Sequence, residues 1–134
     1  MDILDSARQL GKDIQADERY KACIKAQEAA TNDAKISEMA KRLDEIQAEF
    51  EKIATEHPEN EEKMELLHSE YIELFQKANA EPAMAALLDA RAEMDKMMND
   101  IMAIIFLCIN GEDPDTCKPT PETYERMQNS VLGI

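Results

Sequence analysis

The chain has 134 residues, with 29 acidic against 15 basic side chains and a net charge of −14. This balance argues against binding to nucleic acid and to anionic membrane surfaces, since both kinds of binding need clustered Lys and Arg. Aromatic residues, on which nucleic-acid bases could stack, make up only 4% of the chain. With three glycines and five prolines, the composition favours helix throughout and predicts an all-α fold.

The N-terminal segment predicts two short helices. The first runs from Asp2 to about Gln15, and Asp17 is a suitable N-cap for a second helix from Glu18 to about Ala30. Gly11 in the first helix indicates either close approach of another backbone or simple tolerance. The opening MDILDSARQLGK has none of the features of a secretory signal, so we expect a cytoplasmic protein.

A long helical hairpin follows. Apolar residues spaced by three and four positions form one seam, and a second seam begins after Pro58, which cannot continue a helix. Two seamed helices joined by a short loop predict a long antiparallel coiled-coil hairpin. The first seam comprises Ile36, Met39, Leu43, Ile46, Phe50 and Ile53, and the second comprises Met64, Leu67, Tyr71, Leu74 and Ala78.

The last long helix is predicted from Pro82 to about Asn110, and its end, IMAIIFLCI, is apolar on every side. That run is about half the length needed to span a bilayer, so it is not a transmembrane segment. A helix that is apolar all round needs partners all round, and a second copy of the chain is the simplest source. Burial within one monomer is the alternative. The residues predicted at the homodimer contact are Met98, Ile101, Ile104, Ile105 and Phe106.

The C-terminal segment begins with Gly111, a natural helix C-cap. Thr120 and Pro121 predict the cap and first turn of a short helix that carries Tyr124, Met127 and Val131 on one side. We expect one domain over residues 1–117, followed by a tail over 118–134 that either docks as this helix or is mobile.

Two cysteines close to each other in sequence are the first candidates for chemistry. Cys108 and Cys117 are nine positions apart, which matches neither zinc-ribbon nor ferredoxin spacing. A dimer would nevertheless bring four thiols, enough for a metal or iron–sulfur site. The alternative is a buried small hydrophobe and an exposed thiol. Three cysteines, an odd number, fit a reducing compartment, and Cys23 lies on a core stripe.

Other candidate sites are weaker. Glu65 and His68 form one E-x-x-H pair, but di-iron bundles need two copies, and this pair flanks the seam. Glu112, Asp113 and Asp115 lack the spacing of a calcium-binding EF-hand loop. No phosphate-binding loop, zinc-protease motif or nucleophile elbow is present, so we expect no enzyme.

The segment ILDSARQLGKDIQADERYKACIKAQEAA, with Ala7, Leu10, Gly11, Ile14 and Tyr20, resembles the opening of the YlbF/YmcA family of small helical bacterial proteins. The hairpin and the ending INGEDPDTC, similar to clostridial-type members, extend the resemblance to about Cys117. The resemblance implies a frequently dimeric, non-catalytic helical protein. Family members influence competence, sporulation and biofilm formation, assemble with sister proteins, and modulate ribonuclease Y and messenger-RNA processing.

Three functions remain open at this point. The favoured one is a cytoplasmic adaptor or regulator that binds other proteins. The resemblance also implies iron–sulfur clusters in some complexes, held by cysteines near the chain end, to which only Cys108 and Cys117 could correspond. A metal or iron–sulfur protein that uses both thiols across a dimer is therefore the alternative. A holdase-like chaperone with an exposed hairpin is the third.

Overall fold

The computed structural model describes residues 2–129, and within them the fold is entirely helical. This confirms the all-α prediction. The helices are α1 (Ile3–Ala16), α2 (Glu18–Thr31), α3 (Ala34–Glu56), α4 (Glu61–Ala80), α5 (Pro82–Ile109) and α6 (Pro121–Asn129). In the described part of the chain, no helix is both long and apolar enough to cross a bilayer.

The chain divides into two compact units. The first unit ends at Ala90 and the second begins at Arg91, and both of these residues belong to helix α5. Each unit has its own internal contacts. The domain boundary that we expected after Cys117 stays a prediction. Val131, expected on the same side of the last helix as Tyr124 and Met127, lies outside the described residues.

In the first unit, the loop residues cap the helices as their types predict. The Asp17 carboxylate accepts a hydrogen bond from the Arg19 backbone N–H at 2.9 Å. Hydrogen bonds from the Arg19 side chain and backbone lower the pKa of Asp17 to about 2. Asp33 and Asn60 cap α3 and α4 in the same way. The starts of these helices are therefore encoded locally.

The helices α1 and α2 are less buried than their apolar spacing suggests. No residue of α1 is buried, and Ile3 remains 81% exposed. Helix α1 packs against α2, and α2 against α3. No atom of another segment lies within 4 Å of a Cβ built on Gly11, so this glycine is tolerated rather than required by close packing.

Helices α3 and α4 form an antiparallel pair. Arg42 contacts Glu70 at 2.7 Å and Glu49 contacts Lys63 at 3.5 Å. Residue numbers that increase along α3 therefore pair with residue numbers that decrease by the same amount along α4, as in an antiparallel pair. The seams predicted from the sequence meet in the core of this pair. Buried Ile46, Ile53 and Leu67 form its centre, with Phe50, Met64, Tyr71 and Leu74 packed around them. Coiled-coil supercoiling of the pair stays a prediction.

The loop between α3 and α4 ends the first helix where Pro58 predicts. His57 leaves helical geometry at φ −137° and ψ 60°, because proline disfavours helical geometry in the residue before it, but its ψ falls short of the extended range that Pro58 predicts. Its ring Nδ1 lies 3.3 Å from Glu59 Oε1, a partner that the sequence did not indicate. The pair is exposed and forms a local turn contact.

Candidate functional site

The second unit carries the apolar helix end and both C-terminal cysteines. Its helical part is the portion of α5 from Arg91 onward, followed by a turn and by α6. The end of α5 divides into a buried and an exposed side. Ala103, Phe106 and Leu107 are buried, at 0 to 3% exposure.

Helix α6 contacts this portion of α5 through the side chains of Tyr124 and Arg126. The Tyr124 hydroxyl donates a short hydrogen bond to the Asp100 carboxylate. This bond is the main reason why the pKa of Tyr124 lies above its ordinary value, with burial and the carboxylate charge adding to it. The Arg126 guanidinium lies 5.4 Å from the centre of the Phe106 ring, which is a cation–π distance.

The N-terminus of α6 is built by Thr120 and Thr123. The Thr123 backbone N–H donates to the Thr120 hydroxyl at 3.4 Å, and the Thr120 backbone N–H donates to the Thr123 hydroxyl at 3.0 Å. This reciprocal arrangement is a capping box in which a threonine takes the place of the usual Glu or Gln. Pro121 occupies the first helical position, as predicted. Within the described residues, the tail is therefore a helix docked on α5.

The five residues predicted at a dimer contact have different exposures. Ile104 and Ile105 are 42% and 40% exposed, whereas Met98 and Ile101 are half-buried. Phe106 is only 3% exposed. Because Arg126 covers its ring within the same chain, Phe106 has little surface to offer a partner.

Exposed apolar side chains continue along one side of this helix. Met102 is 48% exposed and Ile109 is 56% exposed. We define the exposed stripe as Met98, Met102, Ile105 and Ile109, which follow one another at spacings of four, three and four. Met102 and Ile109 lie outside the set of residues predicted at the dimer contact, although the same spacing rule would have found them.

The two C-terminal thiols are neighbours. Cys117 lies in the turn after α5, and Cys108 near the helix end is close enough to influence the Cys117 thiol electrostatically. Both are free and half-buried. Burial raises the pKa of the Cys117 thiol, and the neighbouring Cys108 and the Glu112 carboxylate raise it further. These surroundings therefore favour the protonated form of the Cys117 thiol at neutral pH.

The pair does not make a complete metal site within one chain. Over residues 2–129, no group of three or more His, Cys, Asp or Glu side chains is arranged to hold a metal ion. Structural zinc and iron–sulfur sites use four ligands, and the thiols must lose their protons to bind. One chain supplies two thiols, and the surroundings of Cys117 oppose deprotonation.

The other candidate residues serve local structure or line surfaces. The Asp113 carboxylate accepts from the Asp115 backbone N–H at 3.0 Å, which makes an Asx turn rather than a calcium loop. Glu65 and His68 are exposed, and with Phe50 and Met64 they line an open groove of about 420 Å³ on the hairpin. Gln47, His68 and Tyr71 line a smaller neighbouring groove of about 280 Å³.

Comparison with known proteins identifies the family. The family model described as control of competence regulator ComK, YlbF/YmcA, matches residues 3–110, which is well over half of the chain. Curated proteins and solved structures give no match. The matched segment includes the whole exposed stripe and Cys108 but ends before Cys117 and α6. The chain therefore belongs to the YlbF/YmcA family, a family of regulators in the control of competence.

Proposed function

We propose that this protein is a non-catalytic cytoplasmic regulator that acts by protein–protein contact and forms a homodimer through the exposed stripe on α5. The observation that carries the proposal is the stripe itself. Its members Met102, Ile105 and Ile109 are between 40% and 56% exposed, in a chain with a net charge of −14. Membership of a family of competence regulators supports a regulatory rather than a catalytic role.

The stripe has the geometry that helix pairing uses. Residues that follow at three and four positions line one side of a helix, and a second helix packs its own ridges against such a line. A two-fold dimer places the same stripe on both sides of the contact, so each copy covers the apolar surface of the other. Ile104 and Ile101 flank the stripe and would lie at the rim of that contact.

The net negative charge of the chain opposes the formation of this dimer. Two copies of a chain with net charge −14 repel each other, and salt screens that repulsion. Apolar contact itself is not weakened by moderate salt. We therefore expect the dimer to become tighter as sodium chloride rises from low to physiological concentration, opposite to the behaviour of a dimer held by ion pairs.

Substitution of Ile105 by Glu tests the dimer. The matched control is Asn99→Glu, which adds the same charge at an exposed polar position of the same helix. We expect wild type and N99E to have twice the chain mass of 15.2 kDa by light scattering, and I105E to be monomeric with unchanged helicity by circular dichroism. A monomeric wild type at micromolar concentration, or a dimeric I105E, would overturn the proposal.

The regulatory partners that we propose are other cytoplasmic proteins, including sister members of the family, with effects on RNA processing and developmental regulation. Affinity purification of the tagged chain from its own cells, followed by mass spectrometry, tests this. We expect sister proteins in the wild-type and N99E samples and their loss from I105E if they use the same stripe. Recovery of the same partners with I105E would place their binding elsewhere on the chain.

The proximity of Cys108 to Cys117, which is enough for Cys108 to raise the pKa of the Cys117 thiol, favours a second candidate function, a metal or iron–sulfur protein. Two chains would supply four thiols, the number that such sites require. Anaerobic purification with metal analysis tests it. Stoichiometric iron or zinc that is lost in C117S would support this function, whereas a colourless and metal-free dimer would exclude it.

A further inference from the structure

We propose that one face of the α3–α4 hairpin is a docking surface for a partner helix that is apolar along one side and carries Lys or Arg near one end. This inference rests on the proposed role in protein–protein contact and deepens it by naming a second surface and the chemistry of the partner. It does not depend on the homodimer or on the exposed stripe of α5.

Two neighbouring open grooves form the floor of this face. Phe50 and His68 line both of them, and the smaller groove continues to Tyr71. The volumes of the grooves are about 420 Å³ and about 280 Å³. Beyond them Phe75 stacks on Tyr71, with ring centres 6.1 Å apart and ring planes 10° from parallel. We define the hairpin face as these four residues together with Met64, which lines the larger groove.

The hairpin face presents apolar and aromatic surface to solvent. Phe75 is 47% exposed, and Ile72 next to it in α4 is 43% exposed. The chain has three phenylalanines and three tyrosines, and half of them lie on this face. Aromatic residues are enriched where proteins contact each other. From Met64 to Phe75 the face follows α4 for about 16 Å, or about three helical turns, which is a length that a docked helix can match.

Two carboxylates border the apolar floor at one end. Glu61 and Glu65 line the larger groove, are exposed, and lie one helical turn apart on the same side of α4. Over residues 2–129, neither carboxylate forms an ion pair. No Lys or Arg of this part of the chain lines either groove. The face is therefore apolar along its length and negatively charged at one end.

Another groove of the same hairpin shows the opposite arrangement. Arg42, Glu70, Glu73 and Lys77 line it together, and its charges are paired as Arg42–Glu70 and Lys77–Glu73. The charges of that groove are balanced within the chain, whereas the charges of Glu61 and Glu65 are not. Opposite charges across an interface steer the approach of a partner and fix its orientation, while like charges exclude wrong partners.

This charge pattern selects the occupant. A cationic helix end pairs with the two carboxylates, and the net charge of −14 attracts such a partner from a distance. A second copy of this chain brings the same net negative charge and is the less complementary occupant. The partner that fits has apolar residues at spacings of three and four, as helices docked in grooves do, and two Lys or Arg side chains one turn apart.

Two labelled synthetic peptides test this charge preference on the full-length protein. Each has about 15 residues, with Leu and Phe at spacings of three and four. One carries two Arg residues one turn apart near one end, and the other carries Glu at those positions. By fluorescence anisotropy, we expect the Arg peptide to bind at least about fivefold more tightly, and the difference to shrink as sodium chloride rises.

Reversal of one charge on the protein locates the site. We expect Glu65→Lys to weaken binding of the Arg peptide about fivefold and to strengthen binding of the Glu peptide. The matched control is Glu62→Lys, which makes the same charge change in the same helix at an exposed position that lines neither groove. E62K should keep the wild-type affinities to within about twofold, because salt screens charges that are not in contact.

Truncation of an aromatic side chain tests the apolar part of the face. We expect Phe75→Ala to weaken binding of both peptides at least about fivefold, because the docked helix would bury this ring. Leu66→Ala is the control, since Leu66 is 65% exposed in the same helix and lines neither groove. Circular dichroism should show the same helicity in all four variants, which places the change at the surface and not in folding.

Several results would sink the proposal. One is equal binding of the two peptides to wild type, or no binding of the Arg peptide up to about 1 mM. Another is equal weakening in E65K and E62K, since the peptide would then report only net charge. Loss of Arg-peptide binding in I105E would place the site on the stripe of α5, and a changed oligomeric mass of E65K would assign the hairpin face to contact between copies.

Light scattering on the same samples separates this inference from the proposed homodimer. A dimeric wild type that binds neither peptide removes the hairpin face and leaves the homodimer in place. A monomeric wild type that prefers the Arg peptide, with the preference lost in E65K, removes the homodimer and supports the hairpin face. The two contacts should also respond to salt in opposite directions, since the dimer tightens and peptide binding weakens.

Discussion

The α3–α4 hairpin and the C-terminal unit are held together in different ways. The hairpin has a buried apolar centre at Ile46, Ile53 and Leu67, and its polar contacts are exposed. The C-terminal unit also buries Phe106 and Leu107, but backbone turns and side-chain contacts such as Tyr124–Asp100 are what connect α5 to α6. The difference teaches that apolar burial alone pairs the two helices of the hairpin, whereas local geometry and specific polar partners add to burial in positioning the turn and α6.

The largest effect is expected from the hairpin centre. Ile46 is 1% exposed, so Ile46→Ala removes three methyl or methylene groups from a packed site and leaves a cavity. We expect a loss of about 2–5 kcal/mol in the free energy of unfolding, measured by urea denaturation. Such a loss would be a large fraction of the stability of a typical domain.

The matched control for this variant is Ile72→Ala in α4. Ile72 is 43% exposed, so the same truncation exposes little new surface and leaves no enclosed cavity. We expect a loss of less than ~1 kcal/mol in the free energy of unfolding, because only the buried part of the Ile72 side chain contributes a transfer free energy. Equal losses in the two variants would contradict the view that burial at Ile46 holds the hairpin together.

A smaller effect is expected at the turn of the C-terminal unit. Gly111 has φ +89°, a region that L side chains rarely adopt, so Gly111→Ala should lower the free energy of unfolding by about 1–2 kcal/mol. No atom lies within 4 Å of a Cβ built at this position. The loss in the free energy of unfolding should therefore come from the backbone conformation and not from a steric clash. The measurement is again urea denaturation.

Gly11→Ala is the opposite case and serves as the control. Gly11 lies within α1, and its added Cβ also meets no atom within 4 Å. Alanine in a helix is favoured over glycine by about 0.5–1 kcal/mol, so we expect increased stability. Increased stability in both variants would mean that the left-handed turn at Gly111 is not retained in solution.

The Tyr124–Asp100 contact should make the C-terminal unit sensitive to alkaline pH. The hydrogen bond to Asp100 raises the pKa of Tyr124 above its ordinary value of about 10. Because the folded pKa is raised, the stabilisation is fully present below pH ~10 and is lost as pH rises through the folded value. Subtracting the tyrosinate absorbance curve of Tyr124→Phe from that of wild type isolates this titration.

The matched variant for this titration is Asp100→Asn. Replacing the carboxylate by an amide removes the charged acceptor, so the Tyr124 midpoint should move back towards about 10. An unchanged midpoint in D100N would show that the hydrogen bond does not form in solution. The hairpin offers a contrast, since its buried residues Ile46, Ile53 and Leu67 carry no titrating group.

The helices and the hairpin core could be predicted because their signals are local and repeated. Spacings of three and four found Ile46 and Leu67, and residue types found the caps Asp17, Gly111 and Thr120. Each of these signals depends only on near neighbours in the chain. The prediction was therefore accurate to within a residue or two at most helix ends.

The candidate site was only partly predictable, because periodicity does not state which side of an apolar helix is covered. Phe106 and Ile105 are adjacent and equally apolar, yet one is 3% and the other 40% exposed. The difference depends on Arg126, twenty residues away in α6, whose position over the Phe106 ring no local pattern encodes. The proximity of Cys108 to Cys117 likewise depends on the complete path of two successive turns.

The smallest effect is expected from the ion pairs on the hairpin surface. Arg42 donates to Glu70 from Nε and Nη2, at 3.1 and 2.7 Å, but both side chains are nearly half exposed. Solvent screening and the entropy of holding two long side chains offset most of the attraction. A double-mutant cycle with Arg42→Ala and Glu70→Ala should therefore give a coupling near the limit of detection, which disappears in high salt.

Exchange of the two charges sharpens the same test. Arg42→Glu combined with Glu70→Arg should recover the stability lost by either reversal alone, because the antiparallel register still places the two positions opposite each other. Pairing Arg42→Glu with Lys63→Glu is the control, since Lys63 faces Glu49 and not position 42. Recovery in the exchange and not in the control would establish the register of α3 against α4 in solution, even though the ion pair itself contributes little to holding the helices together.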